Sequence, residues 1–376
     1  MRWRAFVWPL VLLILATTLY IGARRRRDFV DFLVYRTAAE RAIHGEPLYR
    51  ETDGHYQYKY WPAFALAMAP FAVIDPEVAR GFWYALSVAL LVIFLRRSIA
   101  ELPGRRLTVS TIAAWTAVLL AKSIIQELVN GQTNLLLGWL LLAGAAAAVR
   151  EQRIAAGVCV GVAMFVKPYA AIFVPWLAAV AGVPAIAAFA TVVAALLAAP
   201  AAVYGWRGNL ALLHDWYRTV STTTAPNLLF PENISLASMW AKWIGPGPLA
   251  STLTIVTSVV LASIAVRLWM QRRRTPAPAY LEIAFLLLLI PLWSPQGWDY
   301  VLLVAAPAFV CLVDRFRDLS KAFRFVAGGG FVLTSLTIFD LLGRHLYERL
   351  TGWSVVTVGA LALAAALAHL RRRGLA

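Results

Sequence analysis

The chain has 376 residues, of which 61% are hydrophobic and only 14% charged, with a net charge of +16. Too few polar side chains are present to coat a soluble globule, so the apolar surplus belongs against lipid. The positive charge sits in short arginine-bearing loops between apolar runs rather than along one face, which argues for topology signals and against a nucleic-acid surface. Cys159 and Cys311 both lie inside apolar runs, so neither a disulfide framework nor a metal cluster is indicated.

The first apolar run covers 5–22, between Arg2 and Arg4 on one side and Arg24 to Arg27 on the other. No small-residue cleavage site is clear, so it is expected to be a retained span. Further spans are predicted over 61–95 as one broken crossing, then 107–125, 133–149, 154–166, 169–182, 184–204, 250–270, 279–293, 299–313, 323–341 and 353–370. The runs do not alternate residue by residue, so helices and not a barrel satisfy the backbone in the bilayer. The expectation is an all-α polytopic membrane protein of about twelve transmembrane helices. It forms a single integral membrane domain over 1–376, with a first outer loop at 23–60 and a large outer loop at 205–249.

Arginines near 96–106, 150–153, 272–274, 315–324 and 371–373 fall on one face, which the positive-inside rule makes cytoplasmic. Arg24 to Arg27 then lie outside, against that rule. Trp61 to Ile74 is too short to cross unaided and contains Pro62 and Pro70, so it reads as a re-entrant or interfacial half-helix. The short spans on either side of Lys167-Pro168 point to a cavity there.

The chemistry-bearing residues gather in the opposite loops. The first outer loop carries Asp28, Asp31-Phe32-Leu33-Val34-Tyr35, Gly45-Glu46-Pro47-Leu48-Tyr49 and Tyr58-Lys59-Tyr60-Trp61-Pro62. Asp28 and Asp31 would share one helix face; Asp28 also offsets the preceding arginines, whereas Asp31 is the better functional carboxylate. Lys167 interrupts an apolar run at a helix break, a costly place for a cation unless it works on a phosphate or snorkels to the interface. Lys59 is a second such cation or an interfacial anchor. Asn130-Gly131-Gln132-Thr133-Asn134 offers amides to sugar hydroxyls, or a cap by Thr133 or Asn134 for the next helix. Lys122 and Glu127 are close enough in sequence to pair structurally. Later come Trp206, His214 to Arg218, Pro231-Glu232-Asn233-Ile234-Ser235-Leu236 and Ser294-Pro295-Gln296-Gly297-Trp298-Asp299-Tyr300, aromatic and polar together.

These elements, in this order from residue 28 to about 310, resemble glycosyltransferase family 87, within the GT-C superfamily of polytopic transferases that use polyprenyl-phosphate sugars. The resemblance rests on Asp31-Phe32-x-x-Tyr35, Gly45-x-x-Leu48-Tyr49, Tyr60-Trp61-Pro62, Gly131-Gln132-x-Asn134, Lys167-Pro168, Asn233-x-Ser235-Leu236 and Ser294-Pro295-x-x-Trp298. It implies a GT-C-type bundle with an extracytoplasmic catalytic loop after the first helix, in a multi-pass plasma-membrane protein. It implies an inverting α-mannosyltransferase that takes a hexose from a polyprenyl-phosphate donor to a glycolipid or glycan acceptor.

Asp31 would then be the catalytic base and Lys167 with Lys59 would hold the donor phosphate. Tyr35, Tyr49, Tyr58, Gln132, Asn134, Asn233, Trp298 and Asp299 would line the substrate. Tyr300 stands where close family members are expected to carry histidine, with His44 and His55 as other proton carriers. A lipid monophosphate needs less charge neutralisation than a nucleotide diphosphate, so no metal or cofactor is required, although Asp28 or Glu46 could take a cation. The partners are the donor, the acceptor and membrane lipids, with no nucleic acid. A polytopic transporter or lipid-linked sugar flippase is the competing class, though no inverted repeat is evident.

Overall fold

The computed structural model describes residues 29–374 apart from Pro276, together with Val11, Ile14, Leu15, Thr17 and Thr18. The expected first span, but for those five positions, lies outside the described residues, as do Arg24 to Arg27 and Asp28. Among the described residues the structure is helical, and β pairing is confined to one antiparallel bridge between Asn233 and Trp298. Among the described residues, four helices are long and apolar enough to cross a membrane: Pro76–Ala100, Pro168–Ala198, Pro248–Met270 and Val355–Arg372. Two bent pairs, Val109–Leu119 with Ala121–Asn130 at 67° and Lys321–Ser335 with Phe339–Gly352 at 103°, make six if each pair is one span. The sequence expectation of about twelve counts short helices as crossings. Asn134–Val149, Arg153–Val166 and Ala279–Trp293 are apolar but fall short of full length.

The chain forms two compact units. One comprises Thr17–Phe94 and Glu127–Ala225. Its Val30–Ile43 helix starts after Phe29, whose left-handed backbone (φ 64°) turns the chain and whose N–H donates to the Val129 carbonyl at 2.7 Å. Phe32 stacks on Trp83 at 5.5 Å and meets Phe71 edge-on at 5.9 Å, which seats the helix on the aromatic core.

Trp61 to Ile74 folds as two short helices, Pro62–Ala67 and Ala69–Ala72, neither long enough to cross. The Arg36 guanidinium donates to the Phe71, Ala72 and Ile74 carbonyls at 3.1 to 3.3 Å, satisfying the acceptors left at the end of the second. Arg41 grips Asp53 with both terminal nitrogens, at 2.5 and 2.8 Å, and so ties down the loop beyond.

The segment expected as a large outer loop at 205–249 contains helices: Ala201–Asn227, broken at Gly205, and Leu236–Ile244. Its polar composition disguises an amphipathic helix that docks on the first loop. Trp216 stacks on Trp61 at 3.8 Å and donates its indole N–H to the Lys59 carbonyl at 3.1 Å. The expected break between 182 and 184 is present at Gly182, inside Val174–Ala198.

Small residues bring the Arg153–Val166 helix onto Val174–Ala198. A Cβ on Gly157 would lie 2.1 Å from the Ala185 carbonyl oxygen, and one on Gly161 would lie 2.9 Å from the Val192 side chain. Four residues apart, these glycines share a face and permit near backbone contact, which holds in place the helix that ends at Lys167.

The other unit comprises Met1–Ala16, Leu95–Gln126 and Pro226–Ala376. Its arginines do more than the topology reading expects. Arg371 is 1% exposed, donates to the Thr275 hydroxyl at 3.0 Å and the Pro278 carbonyl at 2.5 Å, and lies 3.7 Å from Glu282. Arg315 donates to the Pro103 and Gly104 carbonyls, both at 2.7 Å, while Asp314 accepts from the Arg106 and Leu107 N–H groups. These buried charges are paired, so losing one partner would strand the other.

The packing at Gly157 leaves no room for a side chain. Gly157→Val is expected to destabilise the protein by about 1–3 kcal/mol or more, read as a lower thermal unfolding midpoint in detergent. Gly81→Ala, in the helix Pro76–Ala100 with open space around it, serves as the control and is expected to hold or slightly raise that midpoint.

Candidate active site

Asp31 occupies the first turn of the Val30–Ile43 helix and is half-buried; its Oδ2 accepts a hydrogen bond from Gln132 Nε2 at 2.5 Å. Gln132 reaches it because Gly131 turns the chain with φ 67°, a left-handed conformation that glycine adopts freely. A Cβ there would also lie 2.9 Å from both Phe29 and Phe32. The Gly131 carbonyl accepts from the Trp83 indole at 2.8 Å, which locks the turn.

Beyond the turn, Asn134 opens the helix Asn134–Val149 and is fully buried. Lys167, 9% exposed, follows the Arg153–Val166 helix in extended backbone (φ −151°), and Pro168 after it disfavours helical geometry at that residue. Its ammonium donates to Asn134 Oδ1 at 2.7 Å and, at the limit of bonding distance, to Gln132 Oε1 at 3.5 Å. Asp31, the neighbouring amides Gln132 and Asn134, and Lys167 come from three separate stretches of the chain and form one bonded array.

Two further side chains join this array, neither of them expected at the site from the sequence. Glu127, fully buried, accepts from Asn134 Nδ2 at 2.7 Å and from the Leu135 N–H at 2.9 Å. It therefore caps the helix for which Thr133 or Asn134 was the expected cap; Thr133 makes no side-chain capping bond. Glu127 lies outside the recognisable motif, and no local pattern marks it. Tyr60, which does stand in a quoted motif, shares hydroxyl bonds with Tyr35 at 2.8 Å and Thr133 at 3.3 Å. Tyr35 in turn donates to Gln132 Oε1 at 3.4 Å.

Tyr49 and Tyr58 are buried with their hydroxyls donated to the Tyr60 and Trp61 carbonyls at 2.7 and 2.9 Å. Both brace the strap that carries Tyr60. Glu46 pairs with Arg50 at 2.5 Å. His44 is exposed, its Nδ1 2.8 Å from the Glu40 carbonyl, and His55 is exposed beside the Tyr56 ring.

The remaining expected residues belong to the other unit. Asn233, fully buried, donates to the Asn227 and Pro295 carbonyls at 2.9 and 3.0 Å and accepts from the Ser235 N–H at 3.0 Å. That clamps two loops together, and Ser235 then caps Leu236–Ile244 through the Ser238 N–H. Trp298 packs edge-on against Phe230 at 5.8 Å. Asp299 pairs with Lys122 at 2.5 Å, so the partner of Lys122 is Asp299 and not Glu127. Lys242 donates to the Pro231 and Asn233 carbonyls at 3.1 and 2.9 Å, and burial lowers its ammonium to about 8 against the attraction of Glu232 and Asp299. Among the described residues, no group of three or more His, Cys, Asp or Glu stands together to hold a metal ion.

Residues 58–295 match glycosyltransferase family 87. The chain belongs to that family. It is 25% identical, over 94% of its own length and 87% of the relative's, to the polyprenol-phosphate-mannose-dependent α-(1-2)-phosphatidylinositol mannoside mannosyltransferase of Mycolicibacterium smegmatis. The crystal structure of ArnT from Cupriavidus metallidurans bound to undecaprenyl phosphate is similar at 19% identity, with a TM-score of 0.36, covering 97% of this chain and 77% of that one. The family membership makes the chain a glycosyltransferase and decides against the transporter and flippase.

Burial pushes the Asp31 carboxyl above its ordinary range, against Lys167, the Gln132 hydrogen bond, Lys59 and His55, all of which favour the anion. Burial lowers the Lys59 ammonium, and attraction to Asp31 opposes the change. If Asp31 is the base that the resemblance implies, it must be ionised to accept a proton, and kcat/KM for sugar transfer is then expected to rise with pH through an inflection above the usual carboxylate value. Gln132→Met removes a bond that favours the anion, so this limb is expected to move to higher pH. A limb at the ordinary carboxylate value, or one unmoved by the substitution, would contradict Asp31 as the titrating group.

Proposed function

We propose that the protein is an inverting membrane mannosyltransferase that moves mannose from a polyprenyl-phosphate donor to a glycolipid or glycan acceptor on the extracytoplasmic side of the cell membrane. The observation that carries this reading is the bonded array in which Asp31 and Lys167 share Gln132. A carboxylate and an ammonium held close but apart, by an amide rather than in a direct ion pair, can act on two different atoms of one substrate complex. The family, and the donor and sugar in the name of the mycobacterial relative, support the substrate class.

In the reaction, the acceptor hydroxyl oxygen attacks the anomeric carbon as the bond from that carbon to the phosphate oxygen breaks. The hydroxyl proton passes to Asp31, and the electron pair of the broken bond leaves with the lipid phosphate. One displacement inverts the anomeric centre. An ammonium has three donors, and Lys167 spends two within the protein, leaving one for the phosphate. Lys59 adds a second positive charge close to Asp31. Fixed charges aimed at a leaving group stabilise the transition state without reorganising. Tyr35, Tyr60 and Thr133 form a hydroxyl row beside Gln132 that suits a sugar, while Tyr49, Tyr58 and Asn233 act as braces.

Purified protein mixed with labelled polyprenyl-phosphate-mannose and mycobacterial-type phosphatidylinositol mannosides tests the reading. Wild type is expected to turn over, and Asp31→Asn to lose about 10²–10⁴-fold in rate with its unfolding midpoint retained. Full activity in that variant would remove Asp31 from the base role, and transfer from a nucleotide sugar in place of the lipid donor would overturn the donor class.

A further inference from the structure

Glu127 is a buried carboxylate to which the reaction above gives no part. Two roles compete for it. Oε1 accepts the Leu135 N–H in the first turn of Asn134–Val149, which is a cap, and a cap needs only one acceptor. Oε2 is committed separately, to the Asn134 side-chain amide at 2.7 Å.

That second bond has consequences for Lys167. An ammonium only donates and a carboxylate only accepts. Asn134 lies between the two, so its orientation is forced: Nδ2 faces Glu127 and Oδ1 faces Lys167. Reversed, the amide would set donor against donor and acceptor against acceptor. Gln132 obeys the same rule on the other side, with Nε2 to Asp31 and Oε1 to Lys167. The array alternates carboxylate, amide, ammonium, amide, carboxylate, and removing the charge at its far end frees Asn134 to turn.

We propose that Glu127 is a positioning residue for the transfer reaction: its carboxylate fixes the Asn134 amide, which in turn holds the Lys167 ammonium beside Gln132 and Asp31. The proposal rests on the transferase reading above. Glu127→Gln keeps an oxygen for the Leu135 N–H but turns an NH2 toward Asn134. Asn134 must then offer its oxygen to residue 127 and its own NH2 to Lys167, which displaces the ammonium. The exchange Glu127→Gln with Asn134→Asp repairs this: the new amide donates, the new carboxylate accepts from both sides, and the charge count is unchanged.

The test compares wild type, E127Q and the E127Q/N134D pair for mannose transfer from polyprenyl-phosphate-mannose, with unfolding midpoints measured alongside. E127Q is expected to lose about 10–100-fold in kcat/KM, and the pair to recover to within about fivefold of wild type. Wild-type activity in E127Q, or a folded pair no better than E127Q, overturns the proposal and leaves Glu127 a helix cap. If E127Q does not fold, the pair decides alone: folded and within about tenfold of wild type supports the proposal, and folded but inactive, or unfolded, overturns it. Wild-type protein that transfers no sugar sinks the transferase reading itself, a result distinct from active wild type with no recovery in the pair.

Discussion

The Lys167 ammonium, buried at the end of one helix and the start of another, sets the terms for the side chains around it. A cation withdrawn from water must find acceptors, and here they are two amide oxygens, from Asn134 and Gln132. Because the amides must turn their oxygens to the lysine, their nitrogens must face outward, and each nitrogen meets a carboxylate. The alternation of charge across the site follows from the donor and acceptor inventory of one lysine. It also keeps Asp31 out of a direct ion pair with Lys167, where its basicity would be quenched.

The surrounding fold holds these groups through backbone rather than through side-chain mass. Gly157 and Gly161 let the Lys167-bearing helix press against Val174–Ala198, Gly131 turns Gln132 toward Asp31, and Pro168 forces extended backbone on Lys167. Arg36 seals the end of a short helix beneath the first loop, and Trp216 pins the Lys59 carbonyl from a helix more than a hundred residues later. Trp61 and Trp216 face each other as stacked rings, so the first loop and the helix Ala201–Asn227 form one structure.

What was legible in the sequence divides by the range of the interaction. Asp31, Gln132, Asn134 and Lys167 each stand in a short motif at an unusual place, and the structure brings all four together. Helices with strong apolar character were readable nearly to the residue, as with Ala279–Trp293 and Asn134–Val149. Glu127 was not, because spacing along the chain suggested Lys122 as its partner. Only the bend after Leu119 and the turn at Gly131 reveal that Lys122 meets Asp299 while Glu127 meets Asn134. Asn233 is expected at the substrate because it stands in the Asn-x-Ser-Leu element of the family resemblance. Its three side-chain bonds are spent on clamping two loops, a long-range need that no local pattern announces. The helices within 205–249 are not announced by the sequence for a related reason: an amphipathic helix carries too many polar residues to show an apolar run.

The central claim is that Asp31 and Lys167 work on one substrate complex. A structure of the protein with a bound polyprenyl-phosphate sugar tests it most directly. The account predicts the phosphate within hydrogen-bonding distance of the Lys167 ammonium and the anomeric carbon on the side facing Asp31. A phosphate held instead at Lys122 or Lys242, with Asp31 remote from the sugar, would contradict it.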